Sequence, residues 1–359
     1  MTKGFENFRQ SKVTSKARIN IPLSMRSSNK NNEINGNNES HFRQIDDKEE
    51  IGLERLDSSM KTSSPYITRL TASNSSNTNR PALVRHKMIY KIKFGDFGID
   101  NSNFMEPSGL ASNKNDRLYV ADTNNHCVKV LRSDGKYIFT IGLKGELLYP
   151  NRVAVDPVNG NVVISERCPS HQIQIFSSKG TFLRRFGSRI IQYPRGLAVD
   201  HQSRIIVVEC KIMRIVIFDK IGSVFSRFYC SRQFQFPNNV AVNRREEIFI
   251  SDNRLHRIQV FNYNGQFLRS IGCSGLINYP IGVEIDEKDR LVVADNHNNF
   301  NVTIFDSQNG QVLGAFESRT KHSQCYDITL VRDGEIFMSS KDFRIYQYIY
   351  NSSQSLVKY

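Results

Sequence analysis

The feature that most limits what this chain can fold into is a proline that returns about every 43 residues, at Pro107, Pro150, Pro194, Pro237 and Pro280. Each sits in a near-copy of one segment: MEPSGLAS, LLYPNRVAVD, IIQYPRGLAVD, FQFPNNVAVN and NYPIGVEID. An even period of this length marks an array of structural repeats. What lies inside one period decides the kind. After Pro194 come GLAVD (196–200), RIIVVE (204–209), RIVIFD (214–219) and VFSRFY (224–229). These runs are short and rich in β-branched and aromatic residues, and Gly, Asp, Asn and Ser collect in the gaps, as turns require. The apolar period is two rather than 3.6, which excludes a helical solenoid. Four strands in a repeat of this size describe a β-propeller blade. The chain has no Trp, which counts against the propeller repeats whose signature needs that residue.

The count reaches six blades. The sixth, with SQCYDITL (323–330), EIFMSS (335–340) and FRIYQYIY (343–350), keeps the spacing without the proline and ends after three strands. The missing strand stands at the other end, as KMIYKIKF (87–94) ahead of the first proline. The expected fold is therefore all-β, a six-bladed propeller over residues 86–351, closed by an N-terminal strand that pairs with the last blade. Closure also removes an open sheet edge. Residues 1–85, with runs such as SSNKNNEINGNNESH, show no apolar periodicity. They are expected to be a disordered, basic, Asn/Ser/Lys-rich tail, since such a segment buries too little surface to offset its ordering entropy. Residues 352–359 are expected to be a short C-terminal tail.

Strand direction in a four-stranded meander puts two sets of links on one face. These are the links between second and third strands and the links from one blade to the next. The chain has a formal charge of +14, and several of its basic residues fall on them. Arg152 and Arg195 follow the prolines, and Arg167, Lys211 and Arg254 occupy second-to-third-strand links. Lys129, Arg214 and Arg257 begin third strands. Tyr149, Tyr193, Phe236 and Tyr279 each precede a proline, and His126, His171 and His297 add further flat rings. Cations interleaved with rings on one face suit an unpaired nucleic-acid strand: guanidiniums meet phosphates or base edges, and rings stack on bases. The polar residues Asn124, Cys210, Asn253 and Asn296 of the same links complete a candidate RNA-binding set with His126, Tyr149, Arg152, Arg167, Arg195, Lys211, Phe236, Arg254 and Tyr279. Blade-to-blade packing is the competing role for the aromatics, and a merely solvated rim for the cations.

Five acids, Asp122, Glu166, Glu209, Asp252 and Asp295, end the second strands of five blades. They could ring a metal, yet their equivalence from blade to blade and the arginines around them favour a structural part, accepting backbone N–H bonds from the link that follows. No metal or cofactor is expected. The six cysteines include no CxxC pair, and there is no P-loop or GxSxG, so no enzymatic activity is expected. The sequence holds no apolar run of membrane-spanning length and no signal-like N-terminus. A cytoplasmic chain with reduced thiols and no membrane partner is expected.

The centres SDNRLHRIQVF and ADTNNHCVKVL, the aromatic-Pro starts and the Phe-Gly ends resemble NHL repeats over about residues 87–350. LLYPNRVAV, HQIQIF, IIVVECK, EIFISDN, NYPIGV and ADNHNNFN are similar to the Brat (brain tumor) branch of the TRIM-NHL family. The resemblance implies a six-bladed propeller that binds single-stranded, U-rich RNA in the 3′ untranslated regions of messenger RNAs. It further implies translational repression during development, alongside other RNA-binding or repressor proteins; the chain is expected as a monomer. No RING, B-box or coiled-coil module is visible, so ubiquitin-ligase activity is not implied. Tyr229-Cys230 replaces one Phe-Gly end, and Gln202 stands where the family pattern has a lysine, which lowers the rim charge at one point. The alternative function is a protein-interaction platform or substrate-recruiting propeller, which should show apolar anchors in place of the cations.

Overall fold

The computed structural model describes residues 83–350 apart from 114, 115, 143, 144, 168, 297 and 298. Of the expected tails, over 1–85 and 352–359, residues 1–82 and 352–359 lie outside the described residues, as does His297, while 83–85 are described and Arg85 is bonded to blade five.

Six sheets follow one another along the chain. Blade one is Pro107–Ser112, Arg117–Asp122, Cys127–Arg132 and Tyr137–Ile141. Blade two is Pro150–Val155, Val162–Glu166, Ile173–Phe176 and Phe182–Phe186. Blade three is Pro194–Val199, Ile205–Glu209, Arg214–Phe218 and Val224–Tyr229. Blade four is Pro237–Val242, Glu247–Asp252, Arg257–Asn262 and Phe267–Ile271. Blade five is Pro280–Ile285, Arg290–Asp295, Asn301–Asp306 and Val312–Glu317. Blade six has Cys325–Arg332, Glu335–Ser340 and Arg344–Ile349, and takes its outer strand, Ile89–Phe94, from the other end of the chain. Each proline opens an inner strand, the position where its missing N–H costs no ladder bond.

The closing segment differs from the expected single strand over 87–94. It divides at Met88, which is buried. Ile89–Phe94 runs antiparallel to Arg344–Ile349, with Ile89 opposite Ile349. His86–Lys87 instead adds in parallel to Val312–Glu317 of blade five. Arg85 extends that attachment, donating to Leu276 O at 2.6 Å and Thr303 Oγ1 at 3.2 Å. An alternating run specifies a strand, but its partner depends on which edges the ring leaves open.

Second and third strands are buried along both faces; Ile205–Glu209 and Arg214–Phe218 have no exposed residue. The reason is that neighbouring blades share a core, as where Ile206, Val208, Ile215 and Ile217 meet Val240, Ile248, Ile250 and Phe261. Outer strands reach across too. Phe186 of blade two lies over Gly222 in a turn of blade three, where φ is +99° and an added Cβ would stand 2.7 Å from the ring. Only glycine fits both demands. Phe94 on Gly135 repeats the contact where the closing strand meets blade one.

The rim opposite the candidate face is tied between blades by ion pairs, among them Arg332–Asp116 at 3.4 Å, Arg290–Asp333 at 2.7 Å and Arg204–Glu246 at 2.6 Å. Gln202 belongs to this opposite rim, where its amide donates to Glu246 Oε1 at 3.2 Å. Its expected effect on the candidate face is thereby corrected: it lies in a first-to-second-strand link, and strand direction sends those links the other way. Among the described residues, no helix is long and apolar enough to cross a membrane.

Candidate nucleic-acid interface

The residues before the prolines set the geometry of the rim. Tyr149, Tyr193 and Tyr279 have φ of 48°, 54° and 54°, a left-handed conformation that bulky side chains resist. Each such residue stores roughly 1–3 kcal/mol and persists only where its surroundings fix it. Here the fixing groups are histidines from the neighbouring blade's link. Tyr149 N donates to His126 Nδ1 at 3.2 Å, and Tyr279 N to His256 Nδ1 at 3.0 Å. Tyr149 O in turn accepts from Arg167 N at 3.0 Å. The ring pairs recur around the rim: His126–Tyr149 at 4.3 Å, His171–Tyr193 at 5.0 Å and His256–Tyr279 at 4.5 Å. The three tyrosines remain between 39% and 49% exposed. They therefore pack against a neighbouring blade and offer an open ring at once, so packing and presentation are not alternatives. His256 was not among the expected rings, although SDNRLH carries it at the position His126 holds in ADTNNH.

Cations lie over these rings. The Arg195 and Arg254 guanidinium carbons stand 4.9 Å and 5.6 Å from the Phe236 centroid, from either neighbouring link. Lys211 Nζ is 4.3 Å from the Tyr193 centroid, beside half-buried Cys210. Arg195 Nε also donates to Asn238 Oδ1 at 3.0 Å. Such contacts are worth about 0.5–1 kcal/mol at exposed sites and hold long side chains in place before any ligand arrives. Arg167 is different: it pairs with Glu106 at 2.7 Å, so part of its charge is already answered. Asn124 is exposed in the single turn Thr123–Asn125.

Asn253, Tyr279 and Asn296 come together at a recess of ≈ 550 Å³, with Ile281, Phe300 and His322. Its size falls within the range of small-molecule clefts. Asn296 Nδ2 and His322 Nε2, both buried, have no hydrogen-bond partner among the described residues. Burial lowers the His322 pKa below the ordinary imidazole value, which keeps the ring neutral.

Three expected rim cations are placed elsewhere. Arg152 is buried, and its guanidinium donates to Ser108 O and to Arg195 O at 3.1 Å, with Asp327 Oδ2 at 3.8 Å. It lines the central channel with Asn239, Glu284 and Asp327. The pairing explains the correction: Arg152 stands opposite Ser165, as Gly196 stands opposite Val208, so it sits one residue beyond the position of Arg195. One step along a strand reverses the direction of a side chain. Lys129 pairs in the interior with Asp122 at 3.1 Å, and Arg214 with Glu209.

Three of the acids hold backbone N–H groups, two of them from a segment other than the expected one. Asp122 accepts from Met105 N and Glu106 N at 2.9 Å each, and Glu166 from Leu148 N at 2.7 Å. They hold the segment entering their own blade. Asp252 does this for Gln235 N at 2.7 Å and also takes Leu255 N of the following link at 3.0 Å.

Comparison with known proteins adds the following. The NHL repeat model matches residues 104–131. "Protein brain tumor" of Drosophila melanogaster is 61% identical over 270 residues, covering 74% of this chain and 26% of that protein. The B-box type zinc finger protein ncl-1 of Caenorhabditis elegans is 57% identical over 274 residues, 75% of this chain and 32% of that protein. The chain thus spans about a quarter to a third of the length of these curated relatives. Among solved structures, a virginiamycin B lyase from Staphylococcus aureus superimposes with a TM-score of 0.53 at 12% identity, covering 68% of this chain and 95% of that one. That likeness speaks to the fold alone.

Proposed function

Since this chain is an NHL-repeat protein of the TRIM-NHL family, related through its propeller to brain tumor and ncl-1, we propose that it binds single-stranded, U-rich RNA on the rim built by its proline links. On this reading it is a binding module rather than an enzyme. It acts in the cytoplasm on 3′ untranslated regions of messenger RNAs, and it represses translation together with other RNA-binding or repressor proteins. The observation that carries the proposal is the alternation of half-open tyrosine rings with cations held over aromatic faces at successive blades. A single strand offers what such a surface takes: bases to stack and phosphates to neutralise. The recess at Asn253, Tyr279 and Asn296 adds amide groups able to read a base edge.

The test is a titration of labelled U-rich RNA with the full chain and with Tyr149→Ala, Arg195→Ala and Lys211→Ala. Each loss is expected to weaken binding by roughly 1–3 kcal/mol for a stacking contact and less for a phosphate contact. The Lys211→Ala melt should stay close to wild type, because exposed substitutions usually shift stability by about half a kcal/mol or less, and Tyr149→Ala and Arg195→Ala should stay folded at the binding temperature. Unchanged affinity in all three would place RNA elsewhere or remove it. A pull-down that survives nuclease treatment would favour a protein-docking platform instead.

A further inference from the structure

The rim does not account for the outer wall of blades two and three. Residues 167–199 and 220–245 contain no Asp or Glu. Four arginines in these stretches, Arg185, Arg189, Arg227 and Arg232, are exposed, and none of their guanidinium groups has a hydrogen-bond or ion-pair partner among the described residues. The contrast with the opposite rim, where arginines are tied to acids of the next blade, is direct.

The fold does not ask for cations at these four places. Arg185 and Arg227 hold one register position, opposite Gln174 and Val216 of their third strands. The same position carries Thr140 in blade one, Ser270 in blade four, Ala315 in blade five and Lys93 in blade six. Arg189 and Arg232 likewise share a turn position. Their turns close on Gly187 O, through Ile190 N and Ile191 N at 2.8 Å, and on Cys230 O, through Gln233 N at 2.9 Å and Phe234 N at 3.2 Å. The matching turn after blade four closes on Cys273 O at 3.1 Å and has Gly275 at that point. Framework sites that accept Thr, Ser, Ala or Gly carry arginine together in two adjacent blades, two and three, where neighbouring acids are missing; Lys93 of blade six has Asp96 nearby.

The chain connects these arginines to the rim. The link holding Arg189 runs into Tyr193 and Arg195, and the link holding Arg232 runs into Phe236. Tyr229, 66% exposed at the end of the blade-three outer strand, stands beside this path, with the Arg214 guanidinium 5.7 Å from its ring. We propose that the wall of blades two and three extends the RNA path, taking the phosphates of nucleotides that flank those on the rim. The inference rests on the RNA reading of the rim. Arginines that meet phosphate fix position without reading sequence, so the flanking nucleotides are held whatever their bases. An acidic protein segment is the rival occupant of the same charge.

The experiment compares a short U-rich strand with the same strand extended by adenosine tracts at its 5′ or 3′ end. The proteins are the full chain and a variant carrying Arg185→Gln, Arg189→Gln, Arg227→Gln and Arg232→Gln, with melts to confirm folding. Wild type should bind one of the extended strands several-fold more tightly than the short one. The variant should bind the short strand like wild type, lose that gain, and lower the salt slope of the extended strand by roughly 0.7 for each phosphate contact removed. Absence of a length gain in wild type, or its persistence in the variant, overturns the proposal and leaves the wall to an acidic protein. Equal weakening of short and extended strands would also overturn it, since the arginines would then act on the rim as a whole. Failure of wild type to bind even the short strand would sink the rim reading first, and this one with it.

Discussion

Glu106 stands at the candidate interface as the acid paired with Arg167, at 2.7 Å. An incoming phosphate must displace that carboxylate or suffer its repulsion. Glu106→Gln is therefore expected to strengthen binding of U-rich RNA by about 0.5–1 kcal/mol, the scale of an exposed ion pair. Weaker binding in a titration would show that Glu106 positions Arg167 rather than competes for it. A second acid makes a pH prediction. Glu284 occupies the place that Ala154, Ala198 and Ala241 hold in other inner strands, and it lines the channel with Asp327. Burial pushes its carboxyl up from 4.5 to about 8, and the charge of Asp327 adds to the shift. A raised acid binds its proton more tightly folded than unfolded, so stability should fall as pH rises between about 4.5 and 8. Glu284→Gln should flatten that slope in thermal melts, and an unchanged slope would assign it to other groups. The sequence made the tyrosine and cation series legible because each recurs at a fixed offset from a proline. Arg152 broke that rule in plain view, standing second after its proline where Arg195 stands first, but only the strand pairing shows that this one step turns it into the channel.

At the scale of elements, the closing segment joins the ring in two ways. Ile89–Phe94 supplies blade six with its outer strand, while Arg85, His86 and Lys87 fasten to blade five. A chain beginning at residue 83 should melt like the full chain. Starting at residue 88, which keeps the buried Met88, removes the Arg85 bonds and the parallel bridge, and should cost about 2–3 kcal/mol at roughly 1 kcal/mol per hydrogen bond. Starting at residue 95 exposes the edge of Arg344–Ile349 and should abolish the cooperative transition. Equal melting of all three would contradict closure by this strand. The sequence revealed the strand through its alternation and the need for closure through the three-stranded last blade. It could not reveal the break at Met88, because a parallel partner in another blade leaves no mark on local pattern.

Taken whole, the ring divides its charges. On one rim, cations lie over rings; on the other, they are spent on acids of adjacent blades. Raising the salt should then separate two measurements. RNA affinity should fall by about 0.7 log units per log unit of salt for each phosphate neutralised. The melting temperature should move little, since exposed pairs contribute roughly 0–1 kcal/mol each. A flat binding curve would shift the interface onto stacking alone. Composition gave the net charge, but only strand direction distributes it, and Gln202 shows how a link on the wrong side of a strand misleads. The seam has a mechanical side as well. Ile89 lies opposite Ile349, so the chain enters and leaves the closing pair at the same end. Tension between the two ends meets the Arg85 attachment first and then opens that pair rung by rung, as a zipper rather than in shear. A ring with no loose edge at rest thus has one seam that modest force can part, at blades five and six, while blades one to four carry no load.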